Sequence, residues 1–237
     1  MTTLADAMGL VAVDDENRTG YTRSSLKHWN SRDLADGCNT RNEVLLAKAI
    51  TAPAGAAECK LTGGSWLSHY GPAGHRRRAD IAHMVPLAEA WDTGGSVWTA
   101  ARREACAHDQ GAVTSLVAVT APTNRQKSDQ DPAQWLPSAP EAQCRYAGEW
   151  VATKLRWQLA ADAPTSGLEA LKVFAEVPCE DSIVSCTPAL YLSPFRGAGA
   201  QWRRHPGADV FPFAPYDMRG VCDEPRLDRG GCAERLL

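Results

Sequence analysis

The residues best suited to chemistry sit in two blocks, DIAHMVPLAEAW from Asp80 to Trp91 and SLVAVTAPTNRQKSDQD from Ser115 to Asp131. His83 supplies an imidazole, the side chain that takes or gives a proton nearest neutral pH. Asn124 offers an amide oxygen that can ligate a cation, while Arg125 and Lys127, within the next three positions, are donors suited to phosphate oxygens. Arg78 adds a further cation just before the first block, Asp80 a carboxylate, and Ser115 a hydroxyl able to orient a neighbour. Each has an ordinary reading as well. A histidine among apolar neighbours suits a satisfied core position, an asparagine before an arginine suits helix-terminal capping, and most arginines are solvated surface. The combination, rather than any one residue, points to a site.

The elements that must position these residues can be read from pattern. Ala79 to Pro86 reads as a short strand stopped by proline, with Leu87 to Trp91 as the turn or helix after it. Ser115 to Thr120 is the cleanest strand, rich in β-branched residues, and Pro122 opens a helix through Asn124 to Ser128. Between the two strands, Ser96 is expected to cap a helix running to about His108. Further helices are expected over Asn42 to Ile50 with Thr40 as N-cap, over Tyr146 to Ala160, and over Leu168 to Val177 behind a Ser166/Glu169 capping box. The segment LTGGSWLSHYGPAGH suits a hairpin.

These blocks resemble the HNH-family endonucleases common in actinobacteria, in which a segment close to D-I-D-H-x-V-P-L-A-E-A-W precedes S-x-x-N-R-x-K-x-D-Q-D-P. The resemblance extends back through RTGYTRSSLKHW and DGCNTRNEVLLA and forward to CRYAGEWVATKLRW, covering roughly residues 18 to 179. It implies an α+β fold: a ββα-metal core, two short strands and a helix around one divalent cation, surrounded by helices. It further implies His83 as general base, Asn124 as metal ligand, and Ser115 near the place of a base-orienting asparagine; Arg125 and Lys127, which share the short helix with Asn124, and Arg78 are the candidate phosphate contacts by their own chemistry. The family's second metal ligand is the aspartate directly before the histidine. Here that position is Ala82, and a methyl group cannot coordinate a cation. Asp80, two residues back on the same strand face, is the nearest substitute, although it lies about 6–7 Å along the strand.

Two functional expectations follow. The first is metal-dependent hydrolysis of DNA phosphodiesters with Mg²⁺ or Mn²⁺, His83 acting as base. The alternative is a nuclease fold that lost its metal site and needs no cofactor. Such a fold would serve as an acid–base enzyme on a small molecule in bacterial secondary metabolism, or as a binding module that does not cleave.

Composition bounds the rest. With 237 residues, 44% hydrophobic and 22% charged, the chain suits one globular core rather than a disordered tail or coiled coil. The expected division is an N-terminal arm over 1–19, the endonuclease-like domain over 20–179, and an irregular extension over 180–237 packed on the core. A net charge of −3 gives no global attraction to polyanions, so any nucleic-acid contact must be a local patch. No apolar run is long enough to span a bilayer. The first residues lack the basic start of a signal peptide, which suggests a cytoplasmic protein unless a signal was removed. Eight cysteines pull the other way, toward an oxidising compartment. None forms a CxxC pair, so disulfides and buried free thiols both remain open. The resemblance places Cys38, Cys59, Cys144 and Cys179 where secreted family members could be bridged.

Overall fold

The computed structural model describes residues 1–30, 37–55, 59–72, 74–162, 167–176 and 178–189. Its architecture is α+β, with helices packed around small antiparallel sheets. The central pair joins β4 (Asp80–His83) to β5 (Leu116–Val119), in the register Asp80↔Val119, Ile81↔Ala118, Ala82↔Val117 and His83↔Leu116. Side chains alternate between faces along a strand, and here both faces are covered. Ala82, Val117 and Val119 join the main core, while Ile81, Leu116 and Ala118 join a second cluster with Trp66 and with Val44 and Leu45 of α2 (Thr40–Ala47). That double burial explains why LVAV is apolar throughout rather than alternating.

Each strand of this pair leads directly into a helix. Three residues after β4, Pro86 is the N-cap of α3 (Leu87–Asp92). Thr120 ends β5, and its side chain accepts from the Thr123 backbone N–H to cap α5 (Ala121–Lys127), with Pro122 in the first turn where no amide is needed. The long insert between the strands carries α4 (Ala100–Ala107). Its cap is Thr99, which accepts from the Arg102 N–H; Ser96 lies instead in a single 3-10 turn, Gly95–Val97. Likewise Asn39, not Thr40, caps α2.

Helix α6 (Pro140–Trp157) forms the spine of the main core and begins six residues before the expected Tyr146. Tyr146, Trp150, Val151 and Leu155 face inward, with Trp150 and Tyr146 fully buried. Lys154, on the same helix, is buried too. Its ammonium donates to Glu89 Oε1 of α3 at 2.6 Å, to Thr93 Oγ1 at 2.8 Å and to the Ala160 carbonyl at 2.7 Å, so all three protons are used. Helix α7 (Gly167–Glu176) packs beside α6; Ser166 of its expected capping box lies outside the described residues.

The 1–19 segment read as an arm is tied into the core over its first eleven residues. Strand β1 (Thr2–Thr3) pairs with β6 (Ile183–Val184), and α1 (Leu4–Met8) buries Leu4, Ala7 and Met8 against α6 and α7. The expected extension over 180–237 thus begins with an ordered strand, and its remainder from residue 190 lies outside the described residues. A hairpin does form within the LTGGSWLSHYGPAGH segment, from β2 (Trp66–Leu67) and β3 (His75–Arg76). Disulfides link Cys38 to Cys59 and Cys144 to Cys179, and Cys186 is also disulfide-bonded; Cys106 is a free thiol. No described helix is long and apolar enough to cross a membrane.

Candidate active site

Strand β4, the start of α3 and the C-terminal half of α5 converge on a cavity of about 450 Å³. Asp80, Ala82, His83, Asn124, Arg125 and Lys127 all line it, as do Tyr21, Arg23 and Trp29 from the N-terminal segment and Asp129 after α5. Two candidate residues stand apart. Arg78 is exposed outside the cavity wall. Ser115 is buried, and its hydroxyl donates to Asp109 Oδ2 at 2.6 Å rather than reaching the histidine.

The group that orients His83 is a backbone carbonyl. His83 Nε2 lies 2.9 Å from the Ala107 oxygen, and because a carbonyl only accepts, Nε2 carries the proton. The lone pair is therefore on Nδ1, on a ring that borders the cavity. Trp29 lies over that ring, with centroids 5.0 Å apart and planes tilted by 31°, and His28 meets it edge-on at 6.2 Å. Burial among these rings pushes the His83 pKa down to about 3, against the Ala107 hydrogen bond, with His28, Lys127 and Arg23 adding repulsion. The resting imidazole is neutral and already in the tautomer of a base.

That depression has a stability consequence. The unfolded pKa is about 6.5, so between about pH 3 and 6.5 the unfolded chain binds the proton that the folded chain excludes. Stability rises with pH through this window and is lost as pH falls. His83 should account for on the order of 2 kcal/mol between pH 7 and 4.5 after allowance for partial solvent access. Melting curves of the chain and of His83→Gln across this range check it: the variant should show a flatter profile, and parallel profiles would assign the loss to other groups.

The Ala107 carbonyl is held by a buried network two residues on. Asp109 accepts from Arg156 Nε at 2.7 Å and Nη2 at 2.8 Å, from Trp157 Nε1 at 2.9 Å, from the Ser115 hydroxyl and from the Gly111 N–H. Burial alone would raise its carboxyl, but the Arg156, Ser115 and Trp157 bonds outweigh that and hold it low. Asp109→Asn should destabilise by about 2–4 kcal/mol, because it leaves a buried guanidinium without its counter-charge. It should also move the His83 titration seen by NMR, a change that general destabilisation would not produce.

Lys127 is only 1% exposed. It donates to the His83 carbonyl at 3.2 Å. Burial pushes its pKa down to about 7, with Glu89 partly offsetting. Asp80 is fully engaged. Its Oδ1 accepts from Arg41 Nε and Nη2, both at 3.3 Å, and from the Ile81 N–H at 3.0 Å, while Oδ2 accepts from Asn124 Nδ2 at 2.8 Å. Asp129 is paired with Arg18 at 3.1 Å. Among the described residues both carboxylates of the wall are thus matched by arginines from outside it, which leaves Arg23, Arg125 and Lys127 to set the sign of the cavity. It favours an anion.

The ligand set implied for a divalent cation does not assemble around these residues. Position 82 presents a buried methyl, Asp80 has a guanidinium against one oxygen and an amide N–H against the other, and Asn124 retains one neutral oxygen. Hard cations want several oxygens, with one or two carboxylates among them. Among the described residues, carboxylates close enough to share a cation occur elsewhere, at Glu16, Glu89 and Asp92, where Lys154 and Arg18 already supply positive charge.

Trp29, Arg23, Arg41 and the Ala107 carbonyl were not singled out by sequence as site groups. The first two fall in the RTGYTRSSLKHW segment, which was a signal; a backbone carbonyl has none.

No family model and no solved structure matches the chain. It is 33% identical over 154 residues, 64% of its length, to an uncharacterized secreted protein of Arthroderma benhamiae, and the match covers 74% of that relative. With this identity over about three quarters of the relative, the chain belongs to one family with that secreted fungal protein.

Proposed function

We propose that this chain is a nuclease-like ββα scaffold, of the HNH kind, whose His83 cavity has left metal-dependent DNA cleavage and performs acid–base chemistry on a phosphate-bearing ligand without a cofactor. The observation that carries this reading is the pairing of a base in the working tautomer with unmatched cations, next to a methyl at the position where the family holds its metal carboxylate. Supporting it, β4, β5 and α5 follow the strand–strand–helix order that the resemblance implies. Phosphate oxygens between Arg125 and Lys127 would offset the repulsion from Lys127 and Arg23 that adds to burial in holding the His83 pKa down, so the imidazole titrates higher when ligand is present.

The test is an NMR titration of His83 in EDTA, with and without inorganic pyrophosphate. Binding with an upward shift of the His83 pKa is the expected result. Absence of both overturns the reading.

A metal-dependent endonuclease is the second reading, favoured by one observation: Asp80 and Asn124 stand side by side on the cavity wall, so that turning the Asn124 amide over would bring its oxygen next to the carboxylate. It requires Arg41 to release Asp80 when the cation arrives.

We also place the protein outside the cytoplasm, in place of the cytoplasmic expectation. Disulfides persist in oxidising compartments, the chain contains them, and its fungal relative is described as secreted.

A further inference from the structure

We propose that the substrate of the His83 cavity is RNA, cleaved by attack of its own 2′-hydroxyl rather than by water. The inference rests on the cofactor-free reading above and adds the substrate class. Hydrolysis of a phosphodiester by water needs a nucleophile to be brought in and activated, the task a metal performs in two-ligand sites. In this cavity position 82 is a methyl, and the carboxylates of Asp80 and Asp129 are already paired with Arg41 and Arg18. A ribose 2′-hydroxyl is already attached next to the phosphorus, so the protein needs only a base, an acid and cations for the non-bridging oxygens.

Those three parts are present on one wall. His83 Nδ1 is the base, its other nitrogen being fixed on Ala107. Lys127 is the acid, a buried ammonium that lines the cavity and is poised by burial to give up a proton near neutral pH. Arg125 and Arg23 are left to face the phosphoryl oxygens. Trp29 and Tyr21 add aromatic faces of the kind on which unpaired bases stack, a sequence-tolerant way to hold single strands. The volume of about 450 Å³ fits one nucleotide unit rather than a duplex.

In the step itself, His83 Nδ1 takes the 2′-hydroxyl proton as the 2′-oxygen bonds to phosphorus. The bond from phosphorus to the 5′-oxygen breaks, and that oxygen takes a proton from the Lys127 ammonium. The products are a 2′,3′-cyclic phosphate and a free 5′-hydroxyl. Solvent then returns His83 to the neutral form and Lys127 to the charged form, so no oxidant or co-reactant is required.

The experiment incubates the full chain in EDTA with a 5′-labelled single-stranded oligoribonucleotide, and in parallel with the same oligomer carrying one 2′-deoxy residue and with the all-deoxy oligomer. Binding of the all-deoxy oligomer is followed by tryptophan fluorescence. Expected are fragments ending in 2′,3′-cyclic phosphate, loss of cleavage only at the linkage following the single deoxy residue, and at least a 100-fold slower reaction in His83→Ala. Because the cyclic end and the deoxy block are measured on the unmutated chain, the inference does not depend on the variant folding. If the all-deoxy oligomer binds in competition with pyrophosphate but the ribo-oligomer stays intact, RNA cleavage is wrong and the anion-binding reading stands. If nothing binds, both fall.

Discussion

An Ala82→Asp variant should nick supercoiled plasmid in Mg²⁺ or Mn²⁺ at least about 100-fold faster than the unmutated chain, and should lose that activity in EDTA. The new carboxylate would stand on β4 directly before His83, with Asn124 on the neighbouring helix as second ligand. Position 82 is only 3% exposed. A charge there without a partner should cost about 1–3 kcal/mol, and a bound cation should give that back. Two readouts therefore move together: metal-dependent cutting appears, and Mg²⁺ raises the melting temperature of the variant but not of the parent. His83→Ala in the variant background should abolish the cutting. A folded Ala82→Asp protein that neither binds metal nor cuts would show that β4, β5 and α5 are not the template of a metal nuclease.

The second large effect is expected far from the cavity chemistry. Lys154→Ala should destabilise the fold by about 3–5 kcal/mol, because it leaves Glu89 buried without its counter-charge and removes the donor to Thr93 and Ala160. For a chain of this size that is a fall in melting temperature of roughly 10 °C. Burial pushes the Lys154 pKa down, and Glu89 is what keeps the ammonium charged. The double variant Glu89→Leu with Lys154→Met should recover much of the loss, since removing both charges avoids the unpaired state. Chemical denaturation of the two proteins decides between this account and simple loss of packing, which the double variant would not repair.

The parts of the fold legible in the sequence were those written in side chains near in sequence. LVAVTAP gave β5 and α5 because β-branched residues, a threonine cap and a first-turn proline follow one another. The periodicity of Trp150, Val151 and Leu155 gave α6, though not its start, since Pro140 to Gln143 carries no apolar stripe. The caps of α2 and α4 were misplaced by one and three residues because Asn39, Thr40, Ser96 and Thr99 are all competent acceptors, and only backbone geometry chooses among them. At the site, His83, Asn124, Arg125 and Lys127 do share one cavity. Ser115 illustrates the limit. Its hydroxyl was a plausible partner for the histidine, but Asp109, six residues away, is a stronger acceptor and also gathers Arg156 and Trp157 from α6. The long α4 insert then delivers a carbonyl to His83, and every residue has a carbonyl.

The pairing of β1 with β6 has a consequence for how the protein is made. Leu4, Ala7 and Met8 are synthesised long before the surfaces they cover on α6 and α7 and the strand that holds β1. Contacts this distant in sequence slow folding, because a long loop must close before they form. The main core therefore completes only after synthesis has passed residue 184. Until then α1 and β1 lack the surfaces that cover them, and the nascent polypeptide stays open.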